Sequence, residues 1–439
     1  MTSRHKALST LALTCAVAVS ALALPAGAGA LKAGAGKVAV TPTIDEFPYT
    51  VPHEKTFVGV HDDVYARAIV LDDGNKRVVL VSLEATLVPN PDQMVAAVAK
   101  AADVPVTNVM VTATHTHNVL LTFFHGGEPS DTQKREMARL QDGAIEATKE
   151  AVAALKPAKI GFGRGQAFVN TNNGEEAGHK YWYDATGSSD KTLDILRVET
   201  TDGQPLALML NYATHGEVMF RSVTKDGGYE VSGDLPGAVS RILEGQPTGA
   251  PVVLFTSAAE GDQLPLFKSL QPDSLLPGTD EGAAGWGILD LQARRLAMSA
   301  METISAMPAG DDEATLYAAS APVTCPGQHY NVDHATGKLI SLDDTGPLSI
   351  PLSVIRINDL VLAGVGGDIA SDIGKSIKSA SPLPNTTLIT MTAGSVGYIL
   401  NDSAYVHPGH GAFGSPVKPG CATQAISTGL NQLLATAPK

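Results

Sequence analysis

The chain has 439 residues, of which 44% are hydrophobic and 17% charged, and a formal net charge of −14. That length can bury a large core, in one big domain or two. The acidic balance argues against a nucleic-acid partner and against an anionic membrane surface.

The chain opens with Arg4 and Lys6, continues through an apolar stretch from Ala7 to Leu24, and then turns to small residues up to Ala30. A basic start, a short apolar core and small residues at the end predict a secretory signal peptide over residues 1–30, cleaved after Ala28 or Ala30. No later stretch is long and apolar enough to span a bilayer. The expectation is an exported, extracytoplasmic mature chain over residues 31–439 without an integral membrane segment. Cys15 leaves with the signal; an exported chain can pair Cys325 with Cys421, and the alternative is two unpaired buried thiols.

Strands and helices alternate through the rest. Arg77–Ser82 reads as a buried strand. Asn90, Pro91 and Asp92 start a helix that runs to about Ala102. Val109–Thr114 is the next strand, and Ser130 with Gln133 forms a capping box for a long helix ending near Lys156 and Pro157. The Gly161–Gly165 segment reads as a bulged strand and not as a phosphate loop. Leu206–Leu210, Pro251–Phe255, Leu360–Ala363 and Thr387–Thr390 are further strands. Helical patterns cover Leu289–Ala306, Ile369–Ser379 and Ala422 to about Leu434. Asn170–Ser189 and Gln271–Gly285 are polar, glycine-rich loops, either site walls or plain surface insertions. Continuous apolar strands suit burial on both faces, so the fold class is α/β, a mixed sheet covered by helices.

Nearly every apolar run ends in residues that can do chemistry. His115 and His117 end one, and Asn211–Thr214 leads another into His215. Side chains at i and i+2 of a strand share a face, so two imidazoles at a strand end can grip one ion. A third from another strand would leave a position open for water, as in a hydrolytic zinc site. Glu260, Asp262, Asp368 and Tyr398 end other runs, which places the candidate metal site at the carboxyl ends of the strands. Each has a plainer reading. His215 can be a histidine satisfied by backbone, Tyr398 a strand-end aromatic, and Asp368 an N-cap for the helix from Ile369.

In order along the chain, Gly59-Val60-His61-Asp62, Tyr65-Ala66-Arg67, Thr114-His115-Thr116-His117, Asn211-Tyr212-Ala213-Thr214-His215, Gly233-Asp234-Leu235-Pro236-Gly237 and Glu260-Gly261-Asp262 resemble the neutral/alkaline ceramidase family. The resemblance covers about residues 31 to 436. It implies that 31–439 is a catalytic domain holding one zinc ion through His115, His117, His215, a carboxylate matched by Asp368, and Tyr398. It implies hydrolysis of an amide in a small or lipid-like N-acyl substrate, ceramide being the family's example. Three features depart from the family pattern. Asp368 is one methylene shorter than the family's glutamate. Leu264 stands at the serine of the family's Gly-Asp-Val-Ser-Pro-Asn block. The segment Val169–Asn173 lacks the family's arginine. The chain also ends where family members continue into an immunoglobulin-like domain.

The implied mechanism is attack by water whose pKa the metal lowers toward ~7. Tyr398 or Tyr405 would donate to the developing oxyanion, and Asp262, His61 or His410 would pass a proton to the leaving amine. The pair His61 and Asp62 instead either orients a ligand from behind or closes a turn. His125 can line the mouth of the site. No Gly-x-Ser-x-Gly elbow is present, which argues against an α/β serine hydrolase. The alternatives are a zinc hydrolase of another ester, lactone or peptide, and a secreted binding protein with a decayed site.

Overall fold

Residues 28–50, 55–120, 128–173, 184, 187–246, 250–271, 279–333, 338–406, 408 and 410–437 are described by a computed structural model. The anticipated apolar runs are strands buried along most of their length. Eight form the main sheet: β1 (Lys32–Ala39), β2 (Tyr65–Asp72), β3 (Arg77–Leu83), β4 (Val109–Ala113), β5 (Lys156–Gln166), β6 (Thr192–Thr200), β7 (Pro205–Tyr212) and β8 (Val252–Ser257). Their order across the sheet is β8-β7-β6-β5-β1-β2-β3-β4. The outer pairs, β3 with β4 and β7 with β8, are parallel, and the inner pairings are antiparallel. A parallel pair needs a crossover, supplied by α1 (Pro91–Ala102) and, after the long α2 (Asp131–Ala153), by α3 (Asp234–Glu244). The Ser130–Gln133 capping box is formed at the start of α2.

Side-chain alternation along each strand splits the core. In β3, Val79 and Val81 pack with Leu140 and Ala144 of α2, whereas Val78 and Leu80 face the other way. In β7, Leu208 and Leu210 meet Leu235 and Val239 of α3 and Leu289 and Ala293 of α4 (Gly285–Ala306). Met209, between them, faces the opposite side. There Leu80 and Met110 from one half of the sheet and Met209 and Leu254 from the other share a core with Leu316, Ile355 and Leu362. The last three belong to a second sheet, β9 (Leu316–Ser320), β10 (Leu352–Ile357), β11 (Leu360–Val365) and β12 (Asn385–Ile389), in that order. The sheet thus folds back on itself, and Ser82 Oγ of β3 donates to the Phe255 carbonyl of β8 at 2.5 Å. That return brings the ends of β4 and β7, far apart in strand order, to one place. The second sheet is covered by α5 (Ser371–Ala380) and, beyond the four-residue α6 (His410–Phe413), by α7 (Ala422–Ala435).

Two local readings are corrected. Gly161–Gly165 is not bulged: β5 pairs with β6 residue for residue from Ala158 to Gln166. Its glycines serve close packing instead, since a Cβ on Gly163 or Gly165 would run into Met307 or Thr303. Asp368 is not a helix cap, because α5 starts at Ser371 with Ala370 as N-cap. Of the two anticipated loops, Asn170–Asn172 is a short strand paired with Gln263–Pro265; residues 174–183, 272–278, His125, and residues 1–27 of the expected signal peptide 1–30 lie outside the described residues. No described helix is long and apolar enough to cross a membrane.

Cys325 and Cys421 form a disulfide. It ties a long hairpin, Val323–Asp333 with Lys338–Ile350, to the start of α7 across 96 residues of sequence. Linking residues so far apart removes much freedom from the unfolded chain. Replacing both cysteines by serine is therefore expected to cost about 2–5 kcal/mol. Thermal melts of the double variant should fall below those of the oxidised chain and coincide with those of the reduced one.

Candidate metal centre

Strand β4 ends at Ala113, and the chain turns at His115, whose φ is +57°. This is left-handed backbone, uncommon for a residue with a Cβ. The pleat of a strand therefore does not align His115 with His117; the turn and a neighbouring loop do. Thr116 forms a parallel bridge with Gly216, and the His117 amide donates to the Gly216 carbonyl at 3.0 Å. A Cβ on Gly216 would sit 2.8 Å from Thr116 Cα, so glycine permits this approach. His215 precedes Gly216 and enters the same space from β7. A third segment completes the site: Asp368–Ile369 pairs in parallel with Tyr398–Ile399, with Asp368 opposite Tyr398.

The three imidazoles are turned the same way. His115 Nδ1 lies 2.8 Å from the Thr86 carbonyl and His215 Nδ1 lies 3.0 Å from the Gln263 carbonyl. A carbonyl only accepts, so each Nδ1 carries the hydrogen and each neutral ring leaves Nε2 bare. Those bare nitrogens point inward, 3.7 Å (His115) and 3.4 Å (His215) from Asp368 Oδ2. His117 Nε2 is 3.2 Å from His115 Nε2, and its Nδ1 is 3.2 Å from Glu217 Oε1. One ligand atom from each histidine falls within 4.8 Å of the others. Lone pairs facing each other and a carboxylate repel, and a cation among them turns the repulsion into coordination. The donor set, imidazole nitrogen with carboxylate oxygen, suits a borderline divalent ion.

The electrostatics agree. Burial holds His115 and His117 below the ordinary imidazole range, in the neutral form that ligates. Burial acts the same way on His215, but Asp368 beside it outweighs this and lifts the imidazole to about 10. Without a cation that position takes up a proton, and a metal ion bound there would take the proton's place and leave the ring neutral. Glu217 is also buried, yet Lys268, 2.6 Å from its Oε2, together with the histidines keeps its carboxyl well below the usual range. Glu260 is wholly buried, and neither carboxylate oxygen accepts a hydrogen bond. Burial pushes its carboxyl well above the usual range, with the His215 charge opposing. Ionised, the carboxylates of Asp368, Glu217 and Glu260 against the ammonium of Lys268 leave two negative charges, which a divalent cation balances. Reading the sequence for chemistry passed over Glu217 and Lys268 entirely, and noted Glu260 only as the end of a run.

The sequence of residues 32–269 matches the family described as neutral/alkaline non-lysosomal ceramidase, N-terminal. The chain belongs to that family. A neutral ceramidase B of Dictyostelium discoideum is 26% identical over 234 residues, 47% of this chain and 31% of the relative, so the match spans about a third of that relative's length. Among solved structures, the neutral ceramidase from Pseudomonas aeruginosa superposes with a TM-score of 0.73 at 18% identity, covering 93% of this chain and 75% of that one. A ceramidase complexed with C2 gives a TM-score of 0.73 at 17% identity, covering 93% and 76%. The ceramidase fold therefore extends through nearly the whole chain.

Other anticipated residues of this ceramidase-family chain occupy distinct places. Tyr398 and Tyr405 pack around Ala370, Leu400 and Ala412. The Tyr405 hydroxyl is 2.7 Å from Ser415 Oγ, which itself donates to the Tyr398 carbonyl, and burial raises the Tyr405 phenol. Asp262 is engaged as a brace: its carboxylate accepts from the Ser371 amide and hydroxyl, from Asn172 and from Gln263. His61 stacks on Trp286 with ring centroids 3.6 Å apart, and its Nδ1 meets Asp62 at 2.8 Å. It reaches the histidine loop through Ser232, which donates to Asp62 and accepts from Thr116 Oγ1. His410 opens α6; its side chain is outside the described residues. Leu264 is buried and pairs with Thr171.

An ionisable group buried without partners costs stability unless a cation meets it. Glu260→Met, which removes the unpartnered carboxyl, is therefore expected to stabilise the chain in excess chelator by about 1–3 kcal/mol and to remove much of the stabilisation that added divalent metal gives. Melting curves with and without metal read both effects.

Proposed function

We propose that this protein is an exported zinc-dependent hydrolase that cleaves the amide bond of an N-acyl, ceramide-like substrate. The observation carrying this reading is the set of inward-facing Nε2 atoms on His115, His117 and His215 around Asp368, in a chain of the ceramidase family. These four side chains would hold the ion, with Tyr398, opposite Asp368, as a fifth candidate. When bound, zinc supplies Lewis acidity toward a carbonyl oxygen and lowers the pKa of water.

The chain's own groups do the rest. The Thr86 and Gln263 carbonyls keep His115 and His215 in the tautomer that presents Nε2. Tyr398 or Tyr405 donates a hydrogen bond to the oxyanion as it develops; Tyr405 can do so only by exchanging its contact with Ser415. Asp262 is occupied in anchoring α5, which leaves His61, exposed and backed by Asp62, and His410 as the proton carriers. Export is supported by the basic and apolar leader and by the Cys325–Cys421 disulfide, which suits an oxidising compartment.

A second reading, zinc hydrolysis of another ester, lactone or peptide, is favoured by one feature. The position of the family's serine holds the buried Leu264, so the hydroxyl that the resemblance expects there is replaced by hydrocarbon.

Purified mature chain is expected to carry about one zinc, lost in His115→Ala and His215→Ala while the fold persists. Mass-spectrometric metal analysis with circular dichroism tests this; wild type without metal after zinc is supplied would return the protein to the binding-protein alternative. A panel of N-acyl amides against matched esters then separates the two hydrolase readings, with faster turnover of the amides expected. His61→Ala is expected to lower kcat by about 10²–10⁴-fold with zinc content unchanged.

A further inference from the structure

Resting on the metal reading above, we propose that the buried Glu217–Lys268 ion pair is the positioning device for His117, and that it sets how strongly the third histidine engages the ion.

The three histidines are not braced alike. His115 and His215 lean on main-chain carbonyls, at 2.8 Å (Thr86) and 3.0 Å (Gln263). No side-chain substitution removes those anchors. His117 faces a side chain instead, with Nδ1 3.2 Å from Glu217 Oε1. The other oxygen of Glu217 lies 2.6 Å from Lys268 Nζ. Glu217 is 2% exposed and Lys268 6%, so neither is a surface charge that happens to lie near the site. A carboxylate taken this far from water stays in place only when paired.

Packing closes the arrangement. Phe220 meets the His117 ring edge-on with centroids 5.0 Å apart, and Lys268 Nζ lies 5.3 Å from the centre of the Phe220 ring. Phe220 is itself buried, and fills the corner between imidazole and ammonium. The brace is also built into the histidine loops. Glu217 follows His215 by two residues, and the Gly216 between them carries the carbonyl that accepts from the His117 amide at 3.0 Å. One short segment therefore delivers a histidine, holds the backbone of a second, and supplies the carboxylate facing that second ring.

The chemical consequence is directional. A carboxylate 3.2 Å from Nδ1 favours the tautomer with its hydrogen there, which keeps the lone pair on Nε2 and raises the basicity of the ring as a ligand. His117 Nε2 then points at His115 Nε2, 3.2 Å away. Lys268 keeps the brace from becoming an uncompensated buried charge, and thereby lets a charged acceptor stand where the other two histidines use neutral carbonyls.

The test is chelator competition for zinc, with the d–d spectrum of the cobalt-substituted protein as a second readout. Two variants are used: Glu217→Gln, and the double variant Glu217→Gln/Lys268→Met, which removes both charges together so that neither is left buried and unpaired. Both are expected to bind zinc ~10–100-fold more weakly than wild type and to shift the cobalt spectrum. Glu217→Asp should recover part of the affinity. A role in stability only would lower melting temperatures while leaving zinc affinity within twofold and the cobalt spectrum unchanged; that result overturns the proposal. Wild type that takes up no metal would sink the functional reading and this proposal together, whereas wild type that binds while both variants bind as tightly overturns only the proposal.

Discussion

Everything in the site depends on one electrostatic conflict. Three imidazoles turn their Nε2 atoms to each other and to Asp368, with the carboxylates of Glu217 and Glu260 and the ammonium of Lys268 nearby, largely out of water. Left to itself such a cluster would be expelled to solvent or would rearrange, since each unpaired buried group costs a few kcal/mol. The surrounding structure prevents both. Backbone carbonyls fix two rings, an ion pair faces the third, and Asp368 is held in a two-residue parallel pairing with the Tyr398 segment. Preorganisation of this kind moves the cost of assembling charge into folding, so that it is not met again when the ion binds.

The fold supplies the leverage. Each half of the main sheet ends in a parallel pair with a crossover helix, and each crossover unit delivers one histidine loop. Because the sheet folds back over a shared apolar core, β4 and β7 meet at their carboxyl ends despite lying far apart in strand order. The Thr116–Gly216 bridge then joins the loops without a side chain between them. Rigidity comes from the buried strands, while the strained turn at His115 sits at the junction. Backbone strain at a functional position persists because the packing around it overdetermines it.

How much of this was legible in the sequence follows from what each signal measures. Continuous apolar runs located the strands, because strands covered on both faces can be little else, and Ser130 with Gln133 located the start of α2. The histidines were found from their places at the ends of two runs. Their convergence does not come from the pleat of a strand: the strand stops at Ala113, and a left-handed turn aims His115. Gly161–Gly165 looked like a bulge because glycine records only that a side chain is missing, and here the gap is filled by α4. Asp262 looked catalytic because a carboxylate beside a glycine after a strand carries no mark of whether helix or substrate will occupy it. Glu217 and Lys268 left fainter traces. Each is a charge within or beside apolar residues, Glu217 before Val218-Met219-Phe220 and Lys268 after Leu264-Pro265-Leu266-Phe267, and only the three-dimensional structure shows that the two are partners.

That pairing bears on what the site can accept. Near the segment where the resemblance expects a serine, this chain places a buried leucine, and a few residues later a buried lysine committed to Glu217. The hydroxyl that the resemblance expects is absent from one, and the ammonium of the other meets the Glu217 carboxylate inside the protein. Under the proposed function, a site with fewer polar groups free to meet substrate would discriminate less by hydrogen bonding and more by shape. Hydrocarbon walls separate substrates differing by a methylene by only ~1–3 kcal/mol, whereas unmet hydrogen-bonding groups reject far more strongly. Under the proposed function, that would favour a hydrolase tolerant of varied acyl partners over one tuned to a single headgroup.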